Sequence, residues 1–245
     1  MHWFKADLHI HSVLSPCGGL EMGPLAVMSA AREKNLDIIA ITDHNSTGNL
    51  TAYSKVAEDL KITFIPGIEV QSVEEIHIIA LFHNLNDAHL FSHELYKTLL
   101  PVENDPEFFG DQVLVDAEEN ITGYEPRALI NSSSWTFEEV MENVLQFNGF
   151  AFPAHIDAES YSVIGQLGFL PRLKEIVALG ITAGCDVESL LGKFPYIKKY
   201  TLLRNSDAHY IKDIGSGYTD FFLNEPSLEE IILACSCNQN RKIKI

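Results

Sequence analysis

The amino-acid sequence predicts an α/β fold that contains much parallel sheet. Short apolar runs typical of buried strands alternate along the chain with helical segments, which is the pattern of βα units. The chain has 245 residues, and 46% of them are hydrophobic, so it has ample apolar material for a large core. We therefore expect residues 1–245 to form a single domain.

The first third of the chain supplies strands and helices in alternation. Pro24 opens a helix at the first position, where its missing N–H costs nothing. Pro66 and Gly67 are expected to stop the third strand. In chain order, the predicted elements are strand 3–10, helix 24–34, strand 37–41, helix 50–60, strand 62–65 and strand 76–82.

The second half of the chain repeats this unit after an interruption. We predict a helix at residues 136–147, a strand at 149–152 and a strand at 201–204. Residues 101–134 are acidic and turn-rich, and residues 116–120 lie between two short β-like runs. This segment is interpreted as an inserted excursion, either a hairpin or a lid, and an ordinary solvated loop is the alternative.

The charge balance disfavours long nucleic acids as partners. Lysine and arginine total 17 against 34 aspartates and glutamates, which gives a net charge of −17. Such a chain repels a phosphate backbone unless bound cations or a local patch reverse the sign. The same excess of carboxylates favours cation binding.

The sequence also predicts a location. No apolar run approaches the roughly 20 residues that a membrane-spanning helix needs, so no membrane association is expected. The first residues lack the cationic and apolar segments of a secretory signal. Four scattered cysteines form neither a Cys-x-x-Cys pair nor a disulfide framework, which fits reduced thiols. We therefore expect a cytoplasmic protein.

Polar residues that bind metals follow the predicted strands. They are His9 and His11, Asp43 and His44, Glu69, His77, His155, and Asp207 with His209. Side chains alternate along a strand, so His9 and His11 share a face and can converge on one ion. Parallel strands of a barrel bring their carboxyl ends to one rim, where imidazoles and carboxylates together suit zinc, iron or manganese.

Each of these motifs alone has a simpler explanation. Asp43 and His44 fit a loop turn before a helix cap, Glu69 fits an ion pair with a lysine, and His155 fits a hydrogen-bonded core histidine. A single His-x-His pair is also common without metal. Five successive strand ends that each carry histidine, aspartate or glutamate favour the metal site over these separate explanations.

These motifs resemble those of the PHP (polymerase and histidinol phosphatase) domain family over nearly the whole chain except residues 101–134. The resemblance implies a distorted (β/α)7 TIM-like barrel that holds two or three divalent metal ions at its C-terminal rim. It also implies phosphoester hydrolysis. The segments that carry it are residues 7–12 (DLHIHS), 42–44 (TDH), 66–69 (PGIE), 77–81 (HIIAL), 153–155 (PAH) and 206–209 (SDAH).

The resemblance also implies a role for each motif residue. The first metal would be held by His9, His11, Glu69 and Asp207. The second would share Glu69 as a bridge and add His77 and His155. The third would take His44 and His209, while Asp43 would be a carboxylate close to the metals.

The chain departs from the family pattern at the third metal. The family places a histidine or aspartate a few residues after His11, where this chain has Cys17. Cys17 either supplies a thiolate ligand in its place, or the third site is weak or empty and Cys17 is a small structural thiol. His83 is an alternative ligand near His77.

A metal-dependent hydrolase of a small phosphorylated molecule, either a phosphatase or a phosphodiesterase, is the function that these features predict. A bound divalent ion lowers the pKa of water from ~15.7 towards ~7 and so supplies hydroxide at neutral pH. His44 or His209 would protonate the leaving oxygen with Asp43 nearby, and Arg127, Arg172 and Arg204 are candidates for phosphate contact.

Two alternatives belong to other classes. An amidohydrolase-like C–N hydrolase would favour a carbamylated lysine on a strand, and no lysine ends a motif strand. A non-catalytic metal-binding or regulatory module would be expected to have lost motif residues, and only the Cys17 position departs. Zinc, manganese and iron all suit the predicted ligands.

Overall fold

The computed structural model describes residues 1–237 and 240–245. Its strands are β1 (His2–Ile10), β2 (Ile38–Ile41), β3 (Thr63–Gln71), β4 (His77–Phe82), β5 (Val113–Val115), β6 (Ile121–Tyr124), β7 (Gly149–Pro153), β8 (Ala178–Ile181), β9 (Thr201–Arg204), β10 (Thr219–Leu223) and β11 (Lys242–Lys244). Its helices are α1 (Pro24–Glu33), α2 (Leu50–Leu60), α3 (Leu85–Tyr96), α4 (Pro106–Phe109), α5 (Phe137–Gln146), α6 (Val163–Leu167), α7 (Val187–Lys193) and α8 (Leu228–Cys235). The α/β prediction is confirmed.

The sheet is a curled, distorted barrel of the predicted type. Seven strands pair in the order β11-β10-β1-β2-β3-β4-β7, and β8 pairs with β9. The Ile156 N–H donates to the Gly180 carbonyl beside β8, and the His11 N–H donates to the Ala208 carbonyl beyond β9. These bonds join the two sheets at the rim, so β1 to β4 and β7 to β9 enclose the barrel interior.

Parallel pairing covers only part of this barrel. The pairs β1–β2, β2–β3 and β8–β9 are parallel, whereas β3–β4, β4–β7 and β1–β10 are antiparallel. The β3–β4 link has only five residues, and a parallel crossover needs about a dozen. The expected parallel pairing is thus present in three strand pairs, and the remaining pairs are antiparallel.

The third strand does not stop at Pro66 and Gly67, as the sequence had suggested. Pro66 is the last β3 residue paired with β2, and Gly67 is the first paired with β4. A Cβ on Gly67 would lie 2.7 Å from Thr42 Cγ2 and 3.0 Å from Leu81 Cδ2. The two residues thus mark a change of partner, and Glu69 lies within β3.

Buried side chains form an inner and an outer layer. The inner cluster fills the barrel with alternate residues such as Ile65 on β3 and Ile79 on β4, and α8 packs against it. The outer cluster joins the other faces of the strands to the helices. On β1, Leu8 belongs to the inner cluster and Ile10 to the outer one, because the pairing register shifts between Asp7 and Ile10.

The acidic excursion is a hairpin packed on the barrel rim. Strands β5 and β6 pair antiparallel. The Asn49 side-chain amide donates to the Val113 carbonyl, and its oxygen accepts from the Val115 N–H. The Val113 N–H donates to the Val13 carbonyl. The alternative of an ordinary solvated loop was wrong, since this hairpin is tied to the loop after β1.

The start of α5 offers a test of local stability. Thr136 caps the helix by accepting the Glu139 N–H, and Glu139 Oε2 accepts the Thr136 N–H at 2.8 Å. We expect Thr136→Ala to lower the free energy of unfolding by about 1 kcal/mol, because one helix-end donor loses its partner. Urea denaturation measures this change, and Thr122→Ala, at an exposed position that caps no helix, is the control. Equal losses in both variants would contradict the capping role.

Candidate metal centre

A buried carboxylate, Glu69, lies at the centre of a histidine cluster on the barrel rim. Its side chain sits on the inner face of β3 and is 1% exposed. Five imidazoles approach its two oxygens: His9 Nε2 at 3.1 Å, His77 Nδ1 at 3.1 Å and His155 Nε2 at 3.5 Å from Oε1, with His44 Nδ1 at 3.1 Å and His11 Nε2 at 3.4 Å from Oε2.

The first group contains His9, His11, Glu69 and Asp207. The Nε2 atoms of His9 and His11 lie 3.1 Å apart, and Asp207 Oδ1 lies 3.1 Å from the first and 3.2 Å from the second. A metal ion bonded at about 2.0–2.1 Å separates neighbouring ligand atoms by about 3.0–3.4 Å. The spacing in this group therefore fits one ion.

The second group lies on the other side of Glu69. Ligand atoms of His44, Glu69 and His77 all fall within 4.8 Å of one another. His155 stacks with its ring centroid 5.9 Å from that of His9 and reaches Glu69 Oε1. The residues that the family pattern assigned to a second metal are thus together, with His44 as an additional neighbour.

The third group surrounds Cys17. Ligand atoms of His11, Cys17, His44 and His209 lie within 4.8 Å of one another. The predicted third set, His44 and His209 with Cys17, is thus brought together, and His11 joins it. Its occupancy by a metal stays a prediction.

Several potential metal-ligand atoms of this site have no hydrogen-bond partner, which fits a site for metal ions. Among the described residues, six buried side-chain nitrogens or oxygens lack a hydrogen-bond partner, and five belong to the site. Buried polar atoms normally find a partner, because an unmet one costs stability. The five atoms are His44 Nδ1, both carboxylate oxygens of Glu69, His155 Nδ1 and Asp207 Oδ1.

The backbone is strained where it delivers several of these side chains. Asn45, His155 and Asp207 have φ values of +51°, +26° and +52°. Residues other than glycine seldom adopt this left-handed backbone region. Backbone strain of this kind is frequent at functional sites. The Asn45 amide donates to the Leu129 carbonyl, which ties the strained turn after β2 to the end of the excursion.

The strands reach the rim in different directions. His9, His44 and His155 lie in or after strands that run towards the rim. His77 is instead the first residue of β4, which runs away from it. His83 follows the far end of β4 and is exposed, so it is not a neighbour of His77 and its role as an alternative ligand was wrong.

Asp43 faces serines rather than the imidazole cluster. Its Oδ1 accepts the Ser12 N–H at 2.7 Å and the Ser15 hydroxyl at 2.6 Å, and its Oδ2 accepts the Ser12 hydroxyl at 2.6 Å. Ser15 Oγ also lies 2.9 Å from His11 Nδ1. Asp43 therefore orients His11 through Ser15, a chain that sequence reasoning missed because Ser15 belongs to no ligand pattern.

The charged groups of the cluster shift one another's pKa values. Burial alone would raise the pKa of Glu69, but the imidazoles of His77, His9 and His44 hold it well below its usual range. Burial would lower the pKa of His44, but Glu69 and Cys17 raise it well above its usual value. Metal ligation requires a neutral imidazole, so we expect metal binding to strengthen as pH rises.

The Cys17 thiol and the His209 imidazole also shift each other's pKa. Partial removal of the thiol from water opposes ionisation of Cys17, but contacts with His209 and His44 lower the pKa of that thiol to about 7. Burial would lower the pKa of His209, whereas Cys17 and Asp207 raise it to about 9. A thiolate at neutral pH is the form that binds metal.

Cys17→Ser tests the third group. We expect it to lower the bound metal by up to one ion per chain, because a hydroxyl does not replace a thiolate ligand at neutral pH. Elemental analysis gives the metal count, circular dichroism checks the fold, and Cys237→Ser at an exposed position is the matched control. Unchanged metal content and activity would make Cys17 a structural thiol.

None of the three candidate arginines is placed to contact a substrate phosphate at the metal centre. Arg204 donates to the backbone carbonyls of Thr182, Ala183 and Cys185. Arg127 donates to the Tyr96 carbonyl at 2.6 Å and lies over the Tyr96 ring. Arg172 is exposed and does not line the pocket at the metal centre.

That pocket has a volume of about 330 Å³. Besides the cluster residues, it is lined by five residues that sequence reasoning did not identify, because no motif marks them. We call them the non-ligand wall: Ile130, Ala158, Ser160, Tyr161 and Thr182.

None of the described helices is long and apolar enough to cross a membrane.

Profiles of known families match the parts of the chain that contain the site residues. The profile of the PHP domain matches residues 7–178, and a profile described as PHP-associated matches residues 200–239. The uncharacterized protein YqxK of Bacillus subtilis is 28% identical over 111 residues, which cover 42% of this chain and 28% of that protein. The uncharacterized protein MJ1587 of Methanocaldococcus jannaschii is 31% identical over 88 residues, which cover 33% and 51%.

Solved structures share the fold at low identity. The lesion-specific endonuclease EndoQ of Pyrococcus furiosus superposes with a TM-score of 0.73 at 19% identity, covering 99% of this chain and 58% of that enzyme. A Bifidobacterium adolescentis protein assigned provisionally to the metal-dependent phosphoesterases gives 0.55 at 16% identity, covering 83% and 87%. The chain thus spans little more than half the length of the endonuclease.

Proposed function

The chain belongs to the PHP domain family, and on that premise we propose that it hydrolyses a phosphoester bond of a small phosphorylated molecule using two or three divalent metal ions. The observation that carries the proposal is the convergence of five imidazoles on the buried carboxylate Glu69, with five buried donor atoms left without hydrogen-bond partners.

Bound zinc, manganese or iron would act as a Lewis acid and would lower the pKa of water enough to supply hydroxide, the nucleophile for phosphorus, at neutral pH. The first group, His9, His11, Glu69 and Asp207, would hold one ion. Glu69 would bridge to a second with His77 and His155, and His44, His209 and Cys17 would hold a third. The role of the chain's own residues would be to hold the metal ions in fixed positions at the buried rim.

The chain's own side chains supply proton transfer as well. His209 Nδ1 lies 2.8 Å from the Asp207 carbonyl, so its Nδ1–H can donate there and leave Nε2 for the pocket that it lines. His209 or His44, where it is not held as a ligand, would then deliver a proton to the leaving oxygen. Asp43 would contribute indirectly: it orients Ser15, and Ser15 orients His11.

Other functions fit less well. A C–N hydrolase built on a carbamylated lysine lacks its residue, since no lysine is among the described residues that line the pocket. A non-catalytic module would not need nine potential ligands in one cluster. Residues 1–245 as one domain, and a cytoplasmic location, remain proposals.

Cleavage of DNA is the second candidate, because the endonuclease EndoQ, also solved with a 27-mer duplex carrying an abasic lesion, shares the fold. The net charge of −17 disfavours binding of a polyanion unless bound cations, such as metal ions at the rim, or a local patch reverse the sign. We therefore favour a small substrate.

A chelation experiment tests the proposed function. Purified protein loaded with manganese or zinc should hydrolyse members of a panel of small phosphoesters, lose that activity with chelator and regain it with added metal, because the ligand set needs no other cofactor. Metal analysis runs alongside. Activity that persists after complete metal removal would contradict the mechanism, and efficient cleavage of long DNA at physiological salt would favour the second candidate.

A further inference from the structure

Among the described residues of the three groups at the metal centre, Cys17 is the only sulfur donor. The first group combines two imidazoles with two carboxylates, and the second group places imidazoles around Glu69. Nitrogen and oxygen donors together suit zinc, iron and manganese, whereas a thiolate favours zinc and manganese prefers oxygen ligands. The third group is therefore chemically different from the other two.

The backbone holds Cys17 beside the segment that carries His209. The Gly19 N–H donates to the His209 carbonyl at 2.8 Å, and the Gly18 N–H donates to the Ser15 carbonyl at 2.8 Å. These bonds tie the residues that follow Cys17 to the loop after β9 and to the loop after β1. The thiol is thus placed next to the His209 imidazole by the fold itself.

His11 cannot complete the third group once the first group holds an ion. Its Nδ1 lies 2.9 Å from Ser15 Oγ, and its Nε2 lies 3.1 Å from His9 Nε2 and 3.2 Å from Asp207 Oδ1. A ring nitrogen has a single lone pair for a metal, so an ion in the first group occupies Nε2. The third group then keeps three protein ligands: Cys17, His44 and His209.

These three ligands all line the pocket, whereas His11 is fully buried. The Nδ1 of His209 lies 2.8 Å from the Asp207 carbonyl, so its Nδ1–H can donate there and leave Nε2 for a metal. Three protein ligands with a fourth position open to an outside ligand are typical of catalytic zinc sites, and structural zinc sites have four protein ligands.

Resting on the proposed phosphoesterase function, we propose that Cys17 makes the third group a zinc site, with His44 and His209 as the other protein ligands and the fourth position open to the pocket. The first and second groups have no sulfur ligand and accept manganese. A protein given excess manganese and one equivalent of zinc therefore holds its zinc at Cys17.

X-ray absorption at the zinc edge tests this assignment. Metal-free protein is loaded with excess manganese and one equivalent of zinc per chain, so the zinc edge reports only the ligands of zinc. We expect one sulfur at about 2.3 Å together with nitrogens at about 2.0–2.1 Å. Cys17→Ser should remove the sulfur signal. Cys237→Ser, at an exposed position after α8, is the matched control and should keep it.

Cys17→Asp tests the metal preference, because it replaces the thiolate with a carboxylate that suits manganese. Dialysis against buffered zinc in excess manganese, followed by elemental analysis, gives the zinc concentration that fills one site per chain. We expect this concentration to rise by about tenfold or more, since even groups that only orient metal ligands are worth about 10–100-fold. Cys237→Asp should leave it unchanged, and circular dichroism checks the fold of both variants.

Cobalt in place of the single zinc ion tests the open position. A thiolate bound to cobalt gives a charge-transfer band in the near ultraviolet, and the visible bands of cobalt follow its coordination. Inorganic phosphate should shift the visible bands while the charge-transfer band persists, because phosphate enters the fourth position beside the bound sulfur. Visible bands that phosphate does not move would overturn the open position.

The outcomes separate this proposal from the phosphoesterase function. Zinc without a sulfur neighbour, a sulfur signal that survives Cys17→Ser, or an unchanged metal preference in Cys17→Asp would overturn the zinc assignment, even in a protein that hydrolyses phosphoesters. Zinc bound to the Cys17 sulfur in a protein that hydrolyses no phosphoester would support the zinc assignment and count against the phosphoesterase function.

Discussion

Glu69→Gln is expected to release more bound metal than His77→Ala. Its carboxylate is the shared neighbour of five imidazoles and would serve two ions, whereas His77 serves one. Glutamine keeps the shape but removes the charge that offsets both ions. We expect metal affinity to fall on the order of 100-fold or more, since even groups that only orient ligands are worth about 10–100-fold.

The measurement is elemental analysis after dialysis against a weak chelator, with Glu69→Gln and His77→Ala in parallel. Glu33→Gln, at an exposed position of α1, makes the same change outside the site and should keep its metal. Equal metal loss from Glu69→Gln and His77→Ala would contradict the bridging role.

His9→Ala should abolish phosphoester hydrolysis. His9 Nε2 lies 3.1 Å from both Glu69 Oε1 and Asp207 Oδ1, so its removal opens the first group between two carboxylates. We expect kcat/KM to fall on the order of 10³-fold or more, at least the loss that removing one preorganised group from a charged transition-state site produces.

The matched control is His83→Ala, because His83 is an exposed histidine beyond the far end of β4. Circular dichroism and the melting temperature should show that His9→Ala still folds, since the inner cluster that fills the barrel lies beneath the rim. Undiminished hydrolysis in a folded His9→Ala protein would disprove the mechanism.

The sequence alone predicted the α/β class, most element positions in the first 82 residues, and the residues that gather at the rim. It could do so because His9 and His11 stand two residues apart at the end of one strand, and because apolar runs mark where each strand ends. The resemblance of six short motifs to one family supplied the barrel type, which the fold and the matched profile confirm.

The direction of β4 could not be predicted from the sequence. An apolar run is the same whether a strand runs towards the rim or away from it, so His77 was placed on the correct strand without its geometry. Likewise, Pro66 and Gly67 have the composition of a turn, and only the change of partner from β2 to β4 shows why the strand continues through them.

The surroundings of the ligands were decided by tertiary structure alone. Asp43 is joined to Ser12 and Ser15 from the loop after β1, Arg204 is bound by three carbonyls, and Tyr161 is placed against His77 by its loop. Ligands were predictable because their chemistry restricts residue type. The residues that orient them or form the pocket wall act through shape and hydrogen bonding, which many residue types supply, so only the folded chain identifies them.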